Sequence, residues 1–175
     1  GKFGGQRFAP FLLLGLLNNA IPFSLLFSGQ TELGAGLAAI LNALVPFWTV
    51  IAANFVTADE KFTAAKVIGI LFGVAGAAVI IGPSALTGLG APLWAKLAVV
   101  GAGVSYALAS IYAKRFKSVP PIITATSQLT ASSVIMLPAA VLAHGVWPPS
   151  SVTPPVWLAV IALALISTAL AYIIF

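Results

Sequence analysis

The side chains of this 175-residue chain that could do chemistry fall into two sets, and their spacing keeps the sets apart. Uncharged hydrogen-bonding groups stand inside apolar runs: Asn18, Asn19, Asn42, Trp48, Thr49, Ser105, Tyr106, Tyr112, Thr124, Gln128, Ser167, Thr168 and Tyr172. The ionisable groups Glu32, Asp59, Glu60 and His144 stand where those runs stop. A hydrolase or transferase working inside a membrane needs a nucleophile beside a base, or paired carboxylates, at depth. Neither pattern occurs, so an enzyme is not expected. A proton-coupled site needs a carboxylate or histidine at depth, and the apolar runs offer none. Cysteine is absent, which removes disulfides, thiolate metal sites and cysteine nucleophiles. No cofactor or metal is expected. The chemistry left to the amides, hydroxyls and indole is binding by hydrogen bonds.

The elements that must position these groups are set by where the charges fall. Arg7 to Glu32, Glu32 to Asp59 and Lys66 to Lys96 each enclose more than 20 uncharged residues, and about 20 apolar residues in a helix span the hydrocarbon of a bilayer. A chain that is 61% hydrophobic and 6% charged has too few polar faces for a water-soluble globule. The hydrophobic runs and the Pro/Gly breaks predict six helices, at about 8–28, 34–56, 66–82, 93–113, 121–143 and 155–175. His144 through Ser151, with Pro148-Pro149, cannot continue a helix. Gly82-Pro83-Ser84 through Gly90 separates the third and fourth segments in the same way. The expected fold class is an all-α multi-pass membrane protein with six transmembrane helices.

Alternating crossings place Lys2, Arg7, Lys61, Lys66, Lys114, Arg115 and Lys117 on one side and Lys96 alone on the other. Short cytoplasmic loops retain Lys and Arg, which predicts a cytoplasmic residue 1. The net charge of +5 follows from that bias. Lys114-Arg115-Phe116-Lys117 then reads as a membrane-surface anchor, and no nucleic-acid partner is expected.

An amide in hydrocarbon costs several kcal/mol unless it finds partners, so each polar group must face protein or water. Two readings compete: interhelical hydrogen bonds worth about 0.6–2 kcal/mol each, or the wall of a central cavity. Prolines favour the cavity in the first two helices. Pro22 follows Asn18 and Asn19 by one turn, and Pro46 follows Asn42 by one turn; each removes a donor and frees a carbonyl near mid-membrane. A packing kink is the alternative account. In the third helix Gly69, Gly73 and Ala77 recur at four-residue intervals, a stripe that lets two backbones approach. Gly101, Ser105 and Ala109 form a similar stripe in the fourth.

The first and sixth segments align 149 residues apart, laying Asn18-Asn19-Ala20-Ile21-Pro22-Phe23 on Ser167-Thr168-Ala169-Leu170-Ala171-Tyr172. Helices five apart cross in opposite directions, so such a repeat is inverted and places a site between its halves. Gly15 through Phe23, Gly36 through Pro46 followed by Asp59-Glu60-Lys61-Phe62-Thr63, Gly69 through Gly76, and Leu165 through Tyr172 resemble the EamA domains of the drug/metabolite transporter superfamily. The resemblance extends over essentially the whole chain, and the charged loop with the glycine-rich helix after it is its most specific part.

That resemblance implies a fragment of a ten-helix, 5+5 inverted-repeat transporter. Residues 1–82 would hold the last three helices of the first repeat, 83–92 the inter-repeat loop, and 93–175 the first three helices of the second. The start at Gly1 and the end inside a hydrophobic run fit a fragment. It further implies an inner or plasma membrane carrier that exports or exchanges small organic metabolites by alternating access. The expected partners are that substrate and the lipid bilayer, with the oligomeric state open. The expected substrate-binding residues are Asn18, Asn19, Asn42, Tyr106, Ser167 and Thr168, then Trp48 and Gln128. A passive channel and a structural membrane subunit stay open as rivals.

Overall fold

A computed structural model describes residues 8–56, 63–83, 89–145 and 152–170. The described chain is helical, in six runs. They are α1 (Ala9–Gln30), α2 (Ala35–Val56), α3 (Ala64–Ile81), α4 (Leu93–Phe116), α5 (Pro121–His144) and α6 (154–170). The first five are long and apolar enough to cross a membrane, and Pro154–Ile166 of α6 is a shorter apolar helix. The chain is a multi-pass integral membrane protein. Its outward surface agrees: Phe55, Phe72, Ile80 and Leu142 are more than 70% exposed, a state that lipid tolerates and water does not.

The helix ends follow from local sequence. α3 begins where Thr63 Oγ1 accepts a hydrogen bond from the Lys66 amide, satisfying one donor of the first turn. It ends at Gly82 with φ at +67°, and α5 ends at Gly145 with φ at +71°. These are the residues whose lack of a Cβ permits that reversal, so both expected breaks are real. The Asp59–Phe62 loop and the Pro148-Pro149 turn lie outside the described residues, as do Lys2 and Arg7.

Two of the helices are irregular beside their prolines. α1 is α-helical over Ala9–Gly15, widens to a π turn at Leu16–Ala20, and resumes as α-helix over Ile21–Gln30 with Pro22 in its first turn. α2 is broken between Ala35–Asn42 and Val45–Val56. At that break the Leu44 amide reaches back only three residues, to the Leu41 carbonyl at 3.2 Å. Pro46 has no amide hydrogen for the Asn42 carbonyl four residues earlier, which is where an α-helix would need one. α6 also changes register, from α-helix at Pro154–Ala162 to a π-helix at Leu163–Leu170.

The chain divides into two compact units, one of Leu16–Arg115 and one joining the stretch up to Gly15 to the stretch from Phe116. In the first, α4 is the hub, with the π turn and second half of α1 and both halves of α2 packed on it. Leu33, Leu37 and Ala38 meet Ala95 and Val99 in its apolar core. A Cβ on Gly29 would stand 2.8 Å from both the Ala95 carbonyl and Val99 Cγ2, so the end of α1 lies directly on the α4 backbone. In the second unit Ala9–Gly15 packs on α5, and Phe11 stacks on Phe116 with ring centroids 4.7 Å apart.

The small-residue stripes divide. On α4, Ser105 and Ala109 are buried and Gly101 receives Leu25 Cδ1 at contact distance. On α3 the expectation of a close backbone approach is not met among the described residues: Gly69, Gly73 and Gly76 have open space beside them, and no residue of α3 is buried. Among the described residues α3 packs chiefly on the two halves of α2, and Gly69 and Gly73 border an open cleft there instead of a backbone contact.

Candidate functional site

The expected binding residues of the Leu16–Arg115 unit gather where α1 and α2 meet α4. Asn18 and Asn19 stand in the π turn of α1, the first half-buried and the second 5% exposed. Ser105 on α4 donates a hydrogen bond to the Leu17 carbonyl in that same turn. The adjacent Tyr106 sets its ring edge-on to Phe23, at a centroid distance of 6.3 Å. Two residues before Ser105 on α4, Gly103 receives the indole of Trp48: a Cβ there would stand 3.1 Å from Trp48 Cδ1. The α4 stretch from Gly103 to Tyr106 thus touches two of the helix pieces that carry the polar groups, the π turn of α1 and the second half of α2.

Asn42 closes the first half of α2, just before the break. Its Oδ1 is buried with no hydrogen-bond partner among the described residues, and so is the Nε1 of Trp48. A buried polar atom left unpaired costs about 1–3 kcal/mol, and here an acceptor and a donor stand unpaired among the described residues on either side of one helix break. Asn18, Asn19, Tyr106 and Gln128, by contrast, are engaged by interactions within the chain.

The other hydroxyls mostly serve their own helices. Thr49, Ser110, Thr126, Ser132 and Ser133 donate to carbonyls three or four residues back, at 2.8–3.0 Å. That is the local satisfaction open to short hydroxyl side chains. Gln128, 4% exposed on α5, belongs to the second unit. Thr124 Oγ1 on the same helix is buried without a partner among the described residues, and a lone threonine in an apolar run carries no signal that would single it out. The side chains of Ser167 and Thr168 lie outside the described residues, although their backbone runs in the π-helical part of α6.

The family model described as the EamA-like transporter family matches residues 2–82. Over those 81 of 175 residues the chain is similar to that family. The comparison with curated proteins and the comparison with solved structures gave no match. The EamA-like stretch carries Asn18, Asn19, Asn42 and Trp48, the π turn of α1 and the break of α2. Tyr106, Gln128, Ser167 and Thr168 lie beyond it. The five helices long enough to cross a membrane and the EamA-like match over residues 2–82 agree with each other, since that match is to a family of membrane transporters.

The EamA-like stretch also holds an open cleft of about 700 Å³ between α2 and α3, lined by Pro46 and Val50 on one side and by Lys66, Gly69, Ile70 and Gly73 on the other. None of the expected binding residues lines it. Its walls are apolar except for Lys66, so it is a different feature from the polar junction on α4.

Proposed function

We propose that this chain is part of a carrier that exports or exchanges small organic solutes by alternating access, with the solute hydrogen-bonded at the junction of α1, α2 and α4. The observation that carries this reading is the pairing of irregular backbone with unpartnered polar atoms at one place: the α2 break at Pro46, with Asn42 Oδ1 and Trp48 Nε1 buried and unpaired among the described residues beside it. Broken helices at mid-membrane are how transporters aim backbone and side-chain polar groups at a solute. Asn18, Asn19 and Tyr106 of the same unit complete the proposed wall, and Pro22 and Pro46 are its bend points. The carrier lies in the inner or plasma membrane with residue 1 cytoplasmic, an orientation that rests on the Lys and Arg bias.

The 149-residue offset supports an inverted repeat by a second route. The π turn at Leu16–Ala20 corresponds under that offset to positions 165–169, which fall inside the π-helix Leu163–Leu170. Both helices leave the α register at the polar pair.

A structural subunit without transport is the second reading, and the burial of Asn19 favours it at that position. Labelling separates the two, because the chain has no cysteine of its own. Single cysteines at Asn19, Asn42 and Thr168 of the intact protein are treated with a membrane-impermeant thiol reagent. Labelling at Asn42 that a panel of metabolites suppresses supports the carrier and begins to name its solute. Folded protein that labels nowhere removes the proposed site.

A further inference from the structure

The α2–α3 cleft is open, about 700 Å³ in volume, and walled by Val50, Ile70 and the outward faces of Gly69 and Gly73, with Pro46 opposite. Both helices are long and apolar enough to cross the bilayer, and of their residues only Leu37, Ala38 and Ala53 are buried. A trough of this kind on a bilayer-facing surface meets acyl chains as its solvent. One charged residue lines it, Lys66, in the first turn of α3 and therefore at the end of the trough where the helix reaches the membrane surface.

We propose that this cleft is a binding site for an anionic phospholipid of the surrounding bilayer, with an acyl chain lying along Gly69 and Gly73 and the headgroup phosphate at Lys66. The charge decides the headgroup: a lysine at the membrane surface attracts anionic lipid by an amount equivalent to about a fivefold preference. The glycines decide the chain. Where neither has a neighbour within 4 Å of its Cβ position, the missing side chains leave a channel that Leu or Ile would close. The site is independent of the transport reading, since it uses none of the polar residues assigned to the solute. It does place a lipid chain against Pro46, the residue that breaks α2.

The test is native mass spectrometry of the intact protein released from nanodiscs of equimolar phosphatidylglycerol and phosphatidylcholine. Bound lipid is expected to favour phosphatidylglycerol about fivefold. Lys66→Gln is expected to bring the two lipids to equal occupancy, and Lys66→Arg to keep the preference. A Cβ at Gly73 meets no neighbour within 4 Å, so Gly73→Leu projects into the trough, and with an unchanged unfolding midpoint it is expected to lower the occupancy of both lipids. Equal lipid retention by Gly73→Leu and the parent protein overturns the site. A dimer that Gly73→Leu dissociates would give the cleft to a second copy of the chain and overturn it as well.

Discussion

The Ser105 hydroxyl donates a 2.7 Å hydrogen bond to the Leu17 carbonyl, 88 residues away in the chain. Leu17 lies in the π turn of α1, where the register pairs a carbonyl with the amide five residues on. For Leu17 that residue is Pro22, which has no amide hydrogen. A side chain of α4 therefore supplies the donor that the proline withholds, and the widened turn is held from a neighbouring helix.

Replacing Ser105 with alanine strands that carbonyl in a buried place. The expected loss is about 0.6–2 kcal/mol, read as a lowered midpoint in denaturant-induced unfolding of the reconstituted protein. Ser105→Thr keeps the hydroxyl and is expected to recover part of it.

Glycine substitutions should rank by what their Cβ meets. At Gly15 the new atom would stand 2.7 Å from the Gln128 carbonyl and 3.0 Å from the Ser132 amide, both backbone atoms of α5. Gly15→Ala forces two helices apart and is expected to cost about 1–3 kcal/mol. Gly73→Ala meets open space and is expected to stay within about 0.5 kcal/mol of the parent. Thermal unfolding followed by tryptophan fluorescence checks the order, and equal shifts would contradict the packing described.

Asn42 and Trp48 are expected to separate stability from transport. Because Asn42 Oδ1 and Trp48 Nε1 have no partner among the described residues, Asn42→Leu and Trp48→Phe remove unpaired polar atoms and leave stability unchanged or raised. If the solute uses those atoms, each variant loses about 1.4 kcal/mol of binding, or about tenfold in apparent affinity. Solute uptake into proteoliposomes, set beside the unfolding midpoint, reads both. A stability loss with unchanged uptake would assign the two residues to packing.

Pro46→Ala restores the amide hydrogen facing the Asn42 carbonyl and is expected to join Ala35–Asn42 to Val45–Val56 as one helix. Uptake should fall while the unfolding midpoint holds or rises. Hydrogen exchange at Ala43 and Leu44, slowed in the variant, would report the healed break.

The segments were legible because charge and proline punctuate them. Glu32 and the Lys66 to Lys96 interval bracket helices that begin and end within a few residues of expectation, and Gly82 and Gly145 mark their stops by conformation. The α2 break was legible too, since Pro46 names the carbonyl it orphans. The π turn was only half visible: Pro22 announces a bend, but nothing in the letters says that the turn before it widens or that Ser105 will close it. The close approaches at Gly15, Gly29 and Gly103 were missed because each depends on a partner from a distant helix. The four-residue glycine pattern pointed instead to α3, where the same spacing opens a trough. A glycine stripe records that a surface is recessed, and only the neighbours decide whether backbone or lipid fills the recess.

The π turn also changes what the chain can lose. In a regular helix, deleting one residue swings every later side chain by about 100° around the axis. The turn at Leu16–Ala20 already carries one residue more than an α-helix needs there. Deleting a single position from it returns the strand of backbone to ordinary winding while Pro22, Phe23 and Gly29 keep their bearings toward α4. The first helix therefore has a place where its length can vary by one without its far end losing aim.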